Sequence, residues 1–327
     1  MFQSRALGRP RRIGNYCLEE DETNMKKFFA LLLALAMTMS LAACGSSEDT
    51  TEETTDGDTT TEEVDYAAMT DDELKAAITT VTAGTLTVAT SPDFAPYEFY
   101  ALDENGEPQL AGFDMDLAQY IADYLGLTLE VIPMDFDGTI MELQSGNVDL
   151  GMAGYSPDPT RAESMDFSDV YITGGQSFVC LQANKDLFPS LEAANNADYS
   201  IGAQVGSIQA GLAKDNTPDA DIVELTKVPD IIAELLTGKL DGAFIETMVA
   251  ESYATQYPDL CLVLEVPYDA EGSVVGVSKG NAALLEGVNR AIAAAKEDGS
   301  FDQYVVNAVD LASGDYAYLQ DGEIVAQ

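Results

Sequence analysis

One order of secondary-structure elements occurs twice along the chain, and this repetition limits the folds that the chain can adopt. Each copy reads strand, helix, strand, helix, strand, with short connections. The predicted strands lie around Leu86 and Val88, at 127–132 and 148–153, and again at 199–205, 221–225 and 241–246. The predicted helices run over 114–126 and 138–145, and in the second copy they begin at Ser207 and Pro229. Short connections between such elements indicate right-handed crossovers and a parallel sheet in each copy.

Two short segments align the copies. LQSGNVD occupies residues 143–149 and LLTGKLD occupies residues 235–241, 92 residues later. In both segments a Gly follows the helix, at the position where a helix often ends with a residue in the left-handed conformation. The apolar third strand of the copy comes next. We therefore predict two similar α/β lobes rather than one sheet. Because ligands of open α/β sheets bind at the carboxyl ends of the strands, the two lobes should face a shared cleft.

A charged residue marks the end of the third strand in each copy. Arg161 follows the first of these strands, and beyond residue 44 the chain has one other Arg, Arg290; Glu246 ends the second strand. Arg can bind a carboxylate through two parallel hydrogen bonds, and a cation facing an anion matches the two ends of a zwitterion. The alternative for Arg161 is an exposed ion pair with Glu163 or Asp166.

Composition excludes several functions. The formal net charge is −42, and six of the 15 Lys and Arg residues lie in the first 27 positions, so nucleic acid is not a predicted partner. The chain has no His, which excludes Ser-His-Asp chemistry and His-ligated metals. An enzyme would have to use carboxylates, Lys or Tyr. We predict no metal site and no cofactor.

The first 44 residues have the pattern of an export signal. A basic start at 25–27 precedes the apolar run 28–41, which is too short to span a bilayer. The closing LAAC resembles the lipobox of bacterial lipoproteins, which implies that residues 25–43 are removed and that Cys44 becomes a lipidated N-terminus. On this interpretation, residues 1–24 are an upstream extension and Met25 is the start.

An acidic segment follows. Residues 45–65 are nearly free of apolar groups and are predicted to be a solvated tether. Thr70 and Glu73 form a capping box for a short accessory helix to about Val81, so that residues 44–83 make one lipidated tether and helix.

Five segments carry a resemblance to a known family, the extracellular solute-binding proteins (family 3 type) of polar amino-acid ABC transporters. They are DFAPYEF (93–99), AGFDMDLAQYIADYLG (111–126), FDGTIMELQSGNVDLGMAGYSPDPTRAESMDFSDVYITGG (136–175), IGAQVGS (201–207) and LLTGKLDGAFIE (235–246). The resemblance implies the type II periplasmic-binding-protein fold, with two lobes and two hinge crossovers. Lobe 1 would comprise 84–177 and 268–327, lobe 2 would comprise 178–267, and the hinges would lie at 177–180 and 267–273.

The resemblance also implies roles for individual residues. Aromatic packing against the ligand would come from Phe94 and Phe136, and Arg161 would bind the ligand carboxylate. Gly154 and Ser156 would provide backbone and hydroxyl contacts, a helix N-terminus would lie at Ser207 and Ile208, and Glu246 would bind the amino group. The side-chain pocket would draw on Ser91, Phe94, Met134, Phe136, Gln209 and Met248.

The sequence departs from the family pattern at three positions. Glu246 stands where Asp is usual, Phe136 where Trp is common, and Pro157 removes a backbone donor beside Ser156. Asp114 and Asp137 are expected to cap helices rather than to bind ligand.

Cys180 and Cys261 lie in strand-like runs without CxxC spacing. They could form one disulfide or two small buried thiols, and the unpaired state is favoured.

The leading hypothesis is a monomeric, lipid-anchored receptor on the extracellular face of the membrane. It would capture a polar amino acid between its lobes and deliver it to an ABC permease. Two alternatives remain. One is a secreted enzyme such as a dehydratase, with Glu98 or Glu246 as its carboxylate, and the other is the sensing module of a signalling protein.

Overall fold

A computed structural model describes residues 64–103, 105–269 and 272–314, together with the backbone of 316–320 and 323–326. The predicted leader, Cys44 and most of the tether lie outside the described residues. Within the described part of the chain, no helix has the length and apolar character needed to cross a membrane.

Fifteen strands are described. They are β1 Thr85–Thr90, β2 Asp93–Phe94, β3 Glu98–Leu102, β4 Pro108–Ala111, β5 Thr128–Pro133, β6 Leu150–Gly151, β7 Met165–Phe167, β8 Gln176–Leu181, β9 Ser200–Gln204, β10 Asp221–Leu225, β11 Gly242–Glu246, β12 Leu260–Glu265, β13 Gly276–Ser278, β14 Tyr316–Gln320 and β15 Glu323–Ala326.

The α-helices that accompany them are α1 Asp71–Ala77, α2 Phe113–Leu125, α3 Phe136–Gln144, α4 Leu191–Ala194, α5 Ile208–Asn216, α6 Val228–Leu236, α7 Thr247–Gln256, α8 Ala282–Glu297 and α9 Ser300–Ala312. Short 3-10 helices occupy Tyr66–Ala68 and Gln182–Leu187.

Two five-stranded sheets form the two lobes and share one topology. The sheet of the first lobe has the order β5-β1-β6-β13-β7, and that of the second lobe has the order β10-β9-β11-β8-β12. In each sheet the first three strands are parallel and the fourth strand is antiparallel to both neighbours. The predicted pair of mainly parallel α/β lobes is therefore confirmed.

The repeated segments have equivalent roles in the two lobes. Gly146 and Gly238, which follow α3 and α6, have φ angles of 69° and 70°, the left-handed conformation that Gly favours. Asp149 accepts a hydrogen bond from the backbone N–H of Thr87 in β1, and Asp241 accepts one from the N–H of Ser200 in β9. Each Asp thus ties the third strand of its lobe to the first.

Two chain segments connect the lobes. Residues 168–175 lead from β7 to β8, and residues 266–275 lead back from β12 to β13. They meet at an isolated antiparallel bridge between Ile172 and Ser273. The predicted hinge residues 177–180 lie inside β8, where 177–179 pair with β11 and β12 on its two sides and Cys180 pairs with β12. The predicted lobe boundary between residues 177 and 178 falls inside the same strand.

The largest group of buried apolar side chains extends through both lobes. It includes Leu86 and Val88 of β1, Val228 and Ile231 of α6, and Phe94 of β2. Strands β2, β3, β4, β14 and β15 form a third sheet.

Several predicted element bounds shift. Helix α1 has the predicted Thr70 capping box but ends at Ala77 rather than near Val81, whose N–H donates to Asp149 instead. Asp114 and Asp137 lie in the first turns of α2 and α3, and the N-cap positions belong to Gly112 and Asp135. A side chain at Gly112, where φ is 120°, would collide with the carbonyl group of Tyr97, so the start of α2 requires Gly.

Candidate functional site

Arg161 lies in a compact turn between β6 and β7. Its N–H donates to the carbonyl oxygen of Asp158 at 3.0 Å, and the Asp158 carboxylate accepts from the N–H and hydroxyl of Thr160, both at 2.8 Å. An Asp side chain that bonds two residues ahead stabilises such a turn. The turn therefore places the guanidinium at a defined point of the cleft.

The Arg161 guanidinium reaches from the first lobe to the second. It donates to the carbonyl oxygen of Gly206 at 2.7 Å and lies 5.8 Å and 6.0 Å from the ring centres of Phe136 and Tyr155. Both distances suit a cation–π contact. Only 8% of Arg161 is exposed, and burial lowers the pKa of the guanidinium, although it stays charged at neutral pH.

Helix α5 begins beside this cation. Ser207 is its N-cap residue, and the hydroxyl of Ser207 accepts from the N–H of Ala210 at 3.3 Å and donates to the carbonyl oxygen of Gln204 at 2.7 Å. The hydroxyl is therefore occupied by the cap. The contact expected at Ser207 and Ile208 would have to use the backbone at the helix start, where the dipole favours an anion.

Glu246 ends β11 in the second lobe and caps α7. Its Oε2 accepts from the N–H of Val249 at 2.9 Å, and 4% of the residue is exposed. Burial raises the pKa of this carboxyl to about 7, against the opposing effect of hydrogen bonds from the backbone of Val249, Gly175 and Met248 and from the side chain of Tyr97. A pKa near neutrality means that burial outweighs these bonds.

The second carboxylate oxygen of Glu246 lacks a well-formed bond. Among the described residues, Oε1 is fully shielded from solvent and has no partner with good hydrogen-bond geometry, although the Tyr97 hydroxyl stands beside the carboxyl group. Gly174 of the first crossover leaves space here, because a Cβ atom on it would lie 2.7 Å from Oε1 and 3.2 Å from the Tyr97 hydroxyl. The carboxylate is thus buried and incompletely satisfied.

A small cavity lies between Glu246 and the opposite lobe. The cavity has a volume of about 10 Å³ and is lined by Phe94, Gln204, Gln209, Val228, Ile231, Phe244, Ile245 and Glu246. Ligand pockets usually measure roughly 300–1,000 Å³, so the lobes must separate to admit a ligand. Gly154 packs closely against Phe94, which lines this cavity: a Cβ atom on Gly154 would lie 2.8 Å from the Phe94 ring.

The other residues predicted to contact the ligand differ in where they lie and in which of their polar groups are free. Ser156 is 7% exposed, and Gly154 already donates its N–H to Asp114 at 3.2 Å, so a ligand contact at Gly154 would use its carbonyl oxygen. Ser91 donates to Asp93, and Met134 packs beside Phe136. Met248 does not line the cavity: it lies in a separate surface groove with Pro96, Ser252 and Val309.

Glu98, the first candidate for a catalytic base, is fully buried and lies opposite Phe94 in the pairing of β2 and β3. Both of its carboxyl oxygens are shielded from solvent, and burial, with the neighbouring charges of Asp114 and Asp93, raises its pKa well above the usual range. Burial also raises the pKa of Asp114 to about 7, beside the hydroxyl of Tyr171. Glu98 and Asp114 therefore form a buried pair of acids.

No cluster of three or more metal-ligating side chains occurs among residues that the structure describes. Cys180 and Cys261 are free thiols on directly opposite positions of β8 and β12.

Sequence reasoning missed several contacts between the lobes. Asp93 accepts from the backbone N–H of Val228, Lys227 pairs with Asp135, and the Tyr97 hydroxyl lies beside Glu246. The pair of Lys227 and Asp135 could have been predicted from the repeat. The two residues are at equivalent positions of the two copies and carry opposite charges.

Known proteins resemble this chain over most of its length. The arginine-binding extracellular protein ArtP of Bacillus subtilis is 28% identical over 288 residues, which is 85% of this chain and 96% of ArtP. The crystal structure of the amino acid ABC transporter substrate-binding protein AbpA from Streptococcus pneumoniae, bound to L-arginine, matches with a TM-score of 0.68 and 32% identity, and covers 71% of this chain and 97% of AbpA. The cyclohexadienyl dehydratase of Pseudomonas aeruginosa is 28% identical over 188 residues, 57% of this chain and 69% of the dehydratase.

The family model confirms the predicted family. It describes the bacterial extracellular solute-binding proteins, family 3, and matches residues 86–307, a range that runs from β1 into α9 and contains both crossovers. The chain therefore belongs to the family 3 bacterial extracellular solute-binding proteins.

Proposed function

We propose that this protein binds a polar amino acid between its two lobes and delivers it to an ABC transporter permease. Arg161 would bind the α-carboxylate, with the start of α5 beside it, and Glu246 would bind the α-ammonium. Phe94 and Phe136 would pack against the ligand, and Gly154 and Ser156 would add polar contacts.

One observation carries the proposal: the cleft holds a buried cation and a buried anion on opposite lobes, and each lacks a full ionic partner. Within the described residues, the nearest carboxylate to Arg161 belongs to Asp158, at 3.8 Å, and Oε1 of Glu246 has no well-formed bond. A buried charge without a partner costs several kcal/mol. A zwitterion would supply a carboxylate to one lobe and an ammonium to the other.

The relatives support the ligand class. ArtP is named as an arginine-binding protein, AbpA was crystallised with L-arginine, and GlnH of Bacillus subtilis, 26% identical over 284 residues, is named as a glutamine-binding protein. These names favour an amino acid with a polar side chain.

Calorimetry on a two-by-two set tests the assignment. The parent protein and its Glu246→Gln variant are each titrated with an amino acid chosen by a thermal-shift screen, and with the analogue that lacks the α-amine. Glu246→Gln should weaken binding of the amino acid by roughly 2 to 3 kcal/mol, the size of a charge-assisted bond, and hardly affect the analogue. If the losses from the two changes simply add, Glu246 does not bind the amine.

An enzyme is the second candidate, because one relative is a dehydratase and Glu246 has a pKa near neutrality. The shielding of Glu98 leaves Glu246 as the one predicted carboxylate at the cleft. Incubation of the purified protein with the dehydratase substrate class, followed by mass spectrometry, would reveal product if the protein is an enzyme.

The proposal includes an extracellular monomer anchored through lipid on Cys44. Its support is the leader sequence with LAAC at its end. Mass measurement of protein extracted from membranes should find a diacylated Cys44 at the N-terminus, and an unmodified N-terminus elsewhere would contradict the anchor.

A further inference from the structure

An ion pair joins the two lobes at equivalent positions of the internal repeat. Asp135 precedes α3 in the first lobe and Lys227 precedes α6 in the second, and the two residues are 92 positions apart, as are LQSGNVD and LLTGKLD. The Lys227 Nζ atom lies 2.5 Å from Oδ1 of Asp135. The Lys227 side chain is 12% exposed and that of Asp135 is 44% exposed. Equivalent sites of the repeat thus carry opposite charges that meet across the cleft.

A second contact joins the lobes at the same helix. Asp93 of the first lobe accepts from the N–H of Val228, the first residue of α6, at 3.0 Å, and from the side-chain amide of Gln204 at 3.2 Å. Ser91 holds the other oxygen of the Asp93 carboxylate at 2.8 Å. An anion at a helix N-terminus is favoured by the helix dipole. Lys227 and Val228 are adjacent, so the start of α6 is held at two neighbouring points.

The ion pair of Lys227 and Asp135 is separate from the groups assigned to the ligand, whereas Val228 and Gln204, the partners of Asp93, line the cavity beside Glu246. Lys227 and Asp135 do not line the cavity beside Glu246, and each charge of the pair is already satisfied. When the lobes separate, Asp93, Asp135 and Lys227 must exchange their partners in the opposite lobe for water, although Asp93 can keep its bond from Ser91. The contacts can therefore exist only in the closed form.

We propose that Asp93, Asp135 and Lys227 form a clasp that stabilises the closed form and slows ligand release. The effect on release rests on the proposed function, because it requires a ligand held between the lobes. The effect on closure does not, because it concerns the two lobes alone. A partly exposed ion pair contributes modestly, so we expect changes of roughly three- to tenfold in the release rate.

Ligand-release kinetics and small-angle scattering test the clasp in the full mature chain. Lys227→Met and Asp135→Asn should each speed release of L-arginine, measured by stopped flow, by roughly three- to tenfold. The double variant should be no faster than the faster single variant, because both changes break the same pair. Lys227→Arg should stay within about twofold of the parent, since it keeps the charge. Asp93→Asn should also speed release, because a neutral amide interacts more weakly with the start of α6.

Lys239→Met is the matched control. Lys239 is an exposed residue of the same lobe, and it pairs with Glu234 of that lobe at 3.2 Å. Its removal changes the net charge as Lys227→Met does but breaks no contact between lobes, so release should match the parent.

Two results would overturn the clasp: Lys227→Met behaving as Lys239→Met does, or single-variant effects that multiply in the double variant. If the parent does not bind L-arginine, the proposed ligand class is in question and scattering decides the clasp. Lys227→Met should then be more extended than the parent without ligand, and an unchanged radius of gyration would refute the proposal.

Discussion

At the scale of single residues, the protonation of Glu246 should control how affinity depends on pH. Burial raises the pKa of this carboxyl to about 7, so below pH 7 the ligand-free protein carries a proton there that must leave before an ammonium can bind. Affinity for an amino acid should therefore fall roughly tenfold between pH 7.5 and pH 6, as measured by calorimetry.

Glu246→Gln is the control for this effect. The pKa values of Asp93 and Asp114 are also raised by burial, to about 6 and about 7, so they titrate in the same window in both proteins. The affinity of the variant should therefore depend less steeply on pH than that of the parent, and the slope that remains should come from groups such as Asp93 and Asp114. An equal slope in parent and variant would mean that another group controls binding.

The sequence was sufficient to predict that Arg161 and Glu246 lie at or after strand ends of opposite lobes, and the structure buries both residues, while their roles toward a ligand stay predictions. It was not sufficient for Tyr97, whose hydroxyl reaches Glu246 only after the lobes meet. Nor did it give the position of Met248, which lines a groove beside Pro96 and whose Sδ atom lies 3.9 Å from the Tyr97 hydroxyl. The direction in which a side chain points at a helix start depends on tertiary packing, and no periodicity records it.

At the scale of elements, Asp149 and Asp241 are predicted to differ in importance although the repeat makes them equivalent. Asp149 is buried and accepts from the N–H and hydroxyl of Thr87 and from the N–H of Val81, at 2.6 to 2.8 Å. Asp241 is half-buried and accepts from the N–H of Ser200 at 2.9 Å. Asp149→Asn should cost about 2 to 3 kcal/mol of unfolding free energy, and Asp241→Asn about 1 kcal/mol. Urea unfolding monitored by circular dichroism measures the unfolding free energy of each variant. Equal losses of unfolding free energy in the two variants would show that burial of the Asp does not determine the loss.

Strongly periodic elements were the easiest to predict. Strand β10 has its predicted bounds, and α2 ends at Gly126 as expected. The predicted N-cap of α2 was Asp114, because Asp is common at that position. In the structure Gly112 is the N-cap residue, and the Asp114 side chain is buried and accepts from the N–H of Gly154. Sequence alone does not distinguish an Asp at the N-cap position of a helix from an Asp that is buried in the first turn of that helix.

At the scale of the whole molecule, the two-lobed α/β fold followed from the repeated order of elements. The position of the first crossover did not follow from the sequence. The apolar run that forms β8 could be a strand of the second lobe or part of a connection between the lobes. The structure resolves the choice: residues 177–179 are bonded on both sides, whereas residues 168–175 touch the second crossover at Ile172. Rotation of one lobe against the other would be absorbed in these two connections.

The antiparallel fourth strand of each sheet has a consequence for the order of folding. The second sheet is built from one continuous stretch, β8 to β12, whereas the first sheet needs β13, which the chain reaches only after the whole second lobe. Strand β13 lies between β6 and β7 and pairs with both, so these two strands keep open edges until residues 276–278 arrive. Contacts between such distant parts of a chain form slowly. The second lobe can therefore complete its sheet first, while the first lobe stays exposed to wrong pairing until a three-residue strand is inserted.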